Sequence, residues 1–171
     1  MDDARAVSRF FARLESATKF VKDPNAAGVA GAKWSQFGAT VADLSKHLTK
    51  YKLRFGPPAA GGLPGLVAVL NNDRNVRVVG VYRLPAGDLL GSYTSTDGAP
   101  MAVAFTADGT RLAVTKDTGR LTVIDLARLA ADPADAAVWT KAAHTGSMMQ
   151  VVTSASGLIA TSDFAGTVRV W

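Results

Sequence analysis

Apolar and polar positions follow two different rhythms along this chain. Over residues 4–21, Val7, Phe10, Phe11, Leu14, Ala17 and Val21 return at helical intervals and share one face. Asp2 or Asp3 caps that helix, and Asp23-Pro24-Asn25 ends it. After a small, Gly-rich loop at 26–32, a second stripe of Trp34, Phe37, Val41, Leu44, Leu48, Tyr51 and Phe55 steps alternately by three and four. Such a stripe suits burial against the first helix or against another chain. Trp34, Phe37, Val41, Leu44 and Leu48 are therefore the candidate partner-docking residues. Read the other way, Lys52-Leu53-Arg54-Phe55 is already a strand of the rhythm that follows, and we place the change from helix to strand after Lys50.

Pro57-Pro58-Ala59-Ala60-Gly61-Gly62 breaks any regular structure. Beyond it the pattern becomes short alternating runs separated by turn residues, and the runs repeat. Leu66-Val67-Ala68-Val69, Leu112-Ala113-Val114-Thr115 and Leu158-Ile159-Ala160-Thr161 are copies of one strand, starting 46 and 46 residues apart. Each precedes a second strand, placed at 76–79, 121–124 and 168–171, with starts 45 and 47 apart. A third element, 101–105, leads into Ala107-Asp108-Gly109, and its counterpart at 148–152 leads into Ser154-Ala155-Ser156-Gly157. The Asp108-Gly109 pair suits a tight hairpin turn. A fourth, 89–93, is matched at 137–140.

Four short strands in a period of about 46 residues is the organisation of β-propeller blades, and at this point the residues resemble the WD-repeat family. His144-Thr145-Gly146 is similar to the family's Gly-His element, with Ala143 in place of the Gly, and Trp171 follows 27 residues later. The resemblance implies a hydrogen-bonded tetrad of His, Ser or Thr, Asp and Trp in a blade, of which His144 and Trp171 match two members. The family's Asp position, six before the Trp, is Ala165 here, and in the preceding repeat the Trp-Asp pair reads Ile124-Asp125 with no His before it. The likeness covers about residues 65–171. The expected fold is mainly β: a partial β-propeller of about two and a half four-stranded antiparallel blades over 51–171, preceded by a basic helical segment over 1–50. About four to eight blades close a propeller, so the chain is expected to be completed by further blades of its own polypeptide or by another chain.

Composition then narrows the class. With 48% apolar and 19% charged residues among 171, the chain has enough apolar surface to offset its entropy in a core. The absence of Cys excludes disulfides, zinc–thiolate clusters and a thiol nucleophile. No apolar run approaches the roughly 20 residues of a membrane-spanning helix, and Met1-Asp2-Asp3 lacks the basic start of a targeting peptide. An intracellular, soluble protein is expected, with the cytoplasm favoured. The net charge of +5 is uneven: residues 1–55 carry ten Lys or Arg against five acids, and residues 56–171 carry nine against nine. The basic third reads either as a solvated helix face or as a contact with RNA or an acidic surface.

Catalytic patterns are scarce. Walker, Gly-x-Gly-x-x-Gly, Gly-x-Ser-x-Gly and His-Glu-x-x-His motifs are all missing, and two His offer too few ligands for a metal. His144 is expected to be a buried structural residue bonded to a Ser, Thr or Asp of its own blade, close to Trp171. Asp108, Asp117 and Asp163 fall at turns, where Asp satisfies local backbone donors. Trp139 and Trp171 are expected to pack between blades. The functional expectation is a non-catalytic scaffold with protein partners in a larger complex and no cofactor or metal. Two alternatives stand beside it: a ribonucleoprotein subunit touching RNA through residues 1–55, and a propeller enzyme with a channel-bound metal or quinone.

Overall fold

Three antiparallel meanders follow one another in the computed structural model, which describes residues 51–57, 65–71, 75, 77–84 and 87–171. The helical segment expected over 1–50, with Trp34, Phe37, Val41, Leu44 and Leu48, lies outside the described residues. The first sheet has the order β1 (Tyr51–Phe55), β2 (Leu66–Asn71), β3 (Val78–Arg83), β4 (Asp88–Thr94). The second is β5 (Pro100–Phe105), β6 (Arg111–Lys116), β7 (Arg120–Asp125), β8 (Ala137–Ala142). The third is β9 (Met148–Thr153), β10 (Ile159–Asp163), β11 (Val168–Val170). This is a mainly β chain built as a partial β-propeller.

Burial follows position in the stack. The middle strands of the first two sheets carry unbroken buried runs, such as Val79-Gly80-Val81-Tyr82 in β3 and Leu121-Thr122-Val123-Ile124 in β7. A strand covered on both faces needs apolar residues at every position rather than every second one. The period of two persists as a division of labour. Val103, Phe105, Leu112, Val114 and Ile124 join Ala68, Leu70, Val79, Val81 and Tyr93 in the core between the first and second sheets. Their neighbours Ala102, Ala113, Leu121 and Val123 turn the other way and pack on Met148, Val151 and Ile159 of the third. Strand β5 lies beside β1 and β2 on one side and β9 on the other. Lys52 Nζ donates to the Met101 carbonyl at 3.0 Å, and the Thr153 hydroxyl donates to that of Phe105, tying these inner strands across the sheet boundaries. In the third sheet β10 alternates between buried and half-buried, and Met149, Val152, Val168 and Val170 are exposed.

Two elements differ from the sequence reading. The second strand of the first sheet, expected at 76–79, runs over Val78–Arg83, because pairing of Leu70 with Val79 and Leu66 with Arg83 sets its frame. Between β7 and β8 the chain forms a short helix, α1 (Leu126–Ala131), which the strand repeat does not predict. The Asp125 carboxylate caps it, accepting from the N–H groups of Ala127 (2.9 Å) and Arg128 (3.0 Å). Leu126 and Leu129, one turn apart, are buried in the first core. Asp132 then caps a 3-10 turn, Pro133–Asp135, that leads into β8. Among the described residues no helix is long and apolar enough to cross a membrane.

Candidate functional site: two buried polar clusters and an inter-sheet groove

His144 lies in the connection from β8 to β9 and is 5% exposed. Its main-chain N–H and that of Ala143 both donate to the Gly119 carbonyl, each at 2.9 Å, which fixes the connection to the β6–β7 turn of the second sheet. The ring is then placed between two groups of the third sheet. Nδ1 is 3.0 Å from Asp163 Oδ2, and Nε2 is 2.9 Å from Thr161 Oγ1. Trp171 Nε1 donates to the same hydroxyl oxygen at 3.1 Å. A carboxylate only accepts, so the assigned proton sits on Nδ1; the Thr161 hydroxyl donates to Nε2 while its oxygen accepts from the indole. Asp163 Oδ1 accepts from the Thr167 N–H at 2.9 Å. The chain of bonds from indole to carboxylate leaves no polar side-chain atom of the four residues unsatisfied.

His144 and Trp171 therefore meet through the Thr161 hydroxyl, and the Asp bonded to His144 is not at position 165. It is Asp163, eight residues before the Trp and the last residue of β10, where the register shifts between Ser162 and Asp163. The Asp163 carboxyl is held below the usual carboxylate range: the Thr167 N–H favours the anion, burial opposes it, and the bond of His144, with its charge when the ring is protonated, favours it again. A folded-state value below the unfolded one, which is about 3.9, means that the unfolded chain binds this proton more tightly. The associated stability is present above about pH 4 and is lost as pH falls through the folded value. His144→Ala removes a partner from both Thr161 and Asp163 and is expected to cost about 1–3 kcal/mol in urea unfolding at neutral pH. Asp163→Asn should flatten the acid limb of the wild-type stability profile.

The second sheet places a different cluster ahead of its first strand. Lys116, at the end of β6, is 1% exposed and donates to Asp97 and, at 3.1 Å, to the Tyr93 hydroxyl. Its ammonium also lies 5.6 Å from the Tyr93 ring centroid. Ser95 Oγ donates to Asp97 at 3.2 Å, and Thr118 Oγ1 donates to the Asp97 carbonyl at 2.8 Å. Partial burial pushes the Asp97 carboxyl up, but the bond and charge of Lys116, with Ser95, outweigh it, so the group sits below the ordinary value. This cluster opens onto a groove of about 630 Å³ between β4 and the face made by β8 and the 3-10 turn, lined by Thr94, Thr96, Arg120, Pro133, Ala137 and Thr140. None of the residues of this cluster is marked by the repeat, since Lys116 and Asp97 are 19 positions apart and follow no local pattern.

Asp108 and Gly109 form the β5–β6 hairpin turn, where the Gly109 N–H donates to the Thr106 carbonyl at 2.9 Å. Bonds from the Thr106 hydroxyl and from the Thr110 N–H and hydroxyl hold the Asp108 carboxyl at about 2. All these partners belong to the turn itself. Asp117 accepts from the Ala99 N–H at 2.8 Å, again a backbone donor. Trp139 and Trp171 pack on the core between the second and third sheets, with the Lys141 ammonium 5.5 and 5.9 Å from their ring centroids.

No family model matches this chain, and no curated protein matches it. Among solved structures it is similar to a chain in the crystal structure of the mitotic checkpoint complex, with a TM-score of 0.55 and 12% sequence identity. The likeness covers 70% of this chain and 32% of that one, so this chain spans about a third of its neighbour's length. At that identity the similarity is one of fold.

Proposed function

We propose that this chain is a segment of a WD-repeat-like propeller that serves as a non-catalytic scaffold for protein partners. The observation that carries the reading is the occupation of the buried polar groups. His144, Thr161, Asp163 and Trp171 are bonded to one another, and Lys116 is bonded to Asp97 and Tyr93. Groups so engaged hold strands together, which leaves recognition to the loops and grooves of a rigid frame. The fold neighbour comes from a complex, which agrees with that role. In this reading the stripe of Trp34, Phe37, Val41, Leu44 and Leu48 docks onto a partner.

The test is affinity purification of the full chain from its own cells, with and without nuclease and at rising salt. A protein held in fixed stoichiometry after nuclease treatment, and lost when Trp34→Asp and Leu44→Asp are combined, is the expected result. Association that disappears with nuclease and falls steeply with salt would replace the scaffold with the RNA-binding reading. A stoichiometric metal or quinone in the purified protein would favour the enzymatic one.

A further inference from the structure

The groove between the first and second sheets carries unbalanced charge. Lys116 forms part of its wall and is neutralised by Asp97, whereas Arg120, the first residue of β7, is 48% exposed on its rim. Arg120 Nε lies 3.7 Å from Asp97 Oδ2, beyond hydrogen-bond length. Among the described residues the guanidinium has an ionic neighbour but no hydrogen-bond acceptor for its terminal amino groups. Two cations stand against one carboxylate, so the groove is one negative charge short of neutral. Around it are hydroxyls that both donate and accept, those of Thr94, Thr96 and Thr140, with a small apolar wall at Pro133, Ala134 and Ala137.

We propose that this groove binds a Glu or Asp side chain on an extended segment of a partner protein, with Arg120 as the bidentate anchor. The inference rests on the scaffold reading and assigns the chemistry of one contact to it. A guanidinium presents parallel N–H groups that match the two oxygens of a carboxylate. One carboxylate brings the groove to neutrality. A phosphate, with nearly two charges, overshoots it and places the excess beside Asp97. The volume of about 630 Å³ accommodates a short stretch of peptide rather than an ion alone, and the apolar wall suits the aliphatic stem of the acidic side chain.

The experiment uses the immobilised full chain and three degenerate nonapeptide libraries whose central residue is Glu, Gln or phosphoserine. The Glu library should be retained about tenfold better than the Gln library, the difference expected of one charge-assisted contact. Arg120→Ala should erase that preference, and Arg120→Lys should retain part of it, since the charge remains without the fork. Both variants should keep the wild-type melting temperature, because Arg120 is exposed and caps no core. Equal retention of the Glu and Gln libraries overturns the proposal, as does a Glu preference that survives Arg120→Ala, or a phosphoserine library that displaces the Glu library. Any of these outcomes alongside a protein partner that still co-purifies would leave the scaffold standing and remove only this site.

Discussion

Asp97→Ala is expected to destabilise the chain by about 3 kcal/mol or more, although Asp97 itself is 31% exposed. The effect belongs to its partner. Lys116 is 1% exposed and reaches only Asp97 and the Tyr93 hydroxyl, so removing the carboxylate strands an ammonium inside the sheet stack. An uncompensated buried charge costs far more than the net worth of the pair that neutralised it. Lys116→Met, which keeps the stem and discards the charge, should therefore cost much less than Asp97→Ala, and the double variant should recover most of the loss. Urea unfolding of the three variants decides the matter. If Asp97→Ala is as mild as Lys116→Met, Lys116 has a route to water.

Gly119→Ala is expected to cost about 3 kcal/mol and to loosen the third sheet from the second. Gly119 has φ +75°, and a Cβ at this position would overlap the His144 carbonyl oxygen. Neither the conformation nor the clash can be relieved locally, because the Gly119 carbonyl is already held by the N–H groups of Ala143 and His144. Gly157, at φ +86° with nothing within 4 Å of where a Cβ would stand, isolates the conformational part. Gly157→Ala should cost only about 1–2 kcal/mol. Hydrogen exchange in β9 and β10 should accelerate in the Gly119 variant, and unchanged protection there would contradict the clash.

What is legible in the sequence is the part governed by repetition. Strands such as 112–115 and 121–124, and most of 66–69, are buried on both faces, so they write continuous apolar runs that recur at a fixed interval. The strand expected at 76–79 lies further along because Val76-Arg77-Val78 carries the same alternation as the strand proper, whereas the frame depends on pairing with Leu66 and Leu70. Helix α1 leaves only Asp125 and two Leu as a signal, too short for a periodicity to be read. Asp163 is visible as a turn Asp, but its bond to His144 depends on a register shift at the end of β10 that the repeat does not announce. The Asp97–Lys116 pair is invisible, because tertiary packing alone brings these residues together.

The two-faced middle sheet has a consequence for how the chain folds. Each meander is assembled from neighbours in sequence, and the outer sheets communicate through residues that back onto each other across β5, β6 and β7, Leu112 against Ala113 and Ile124 against Val123. Such a chain behaves as a short linear array whose cooperativity is carried by nearest-neighbour coupling. Damage at the central unit weakens both of its interfaces, whereas damage at Ile159 reaches only the one between the second and third sheets.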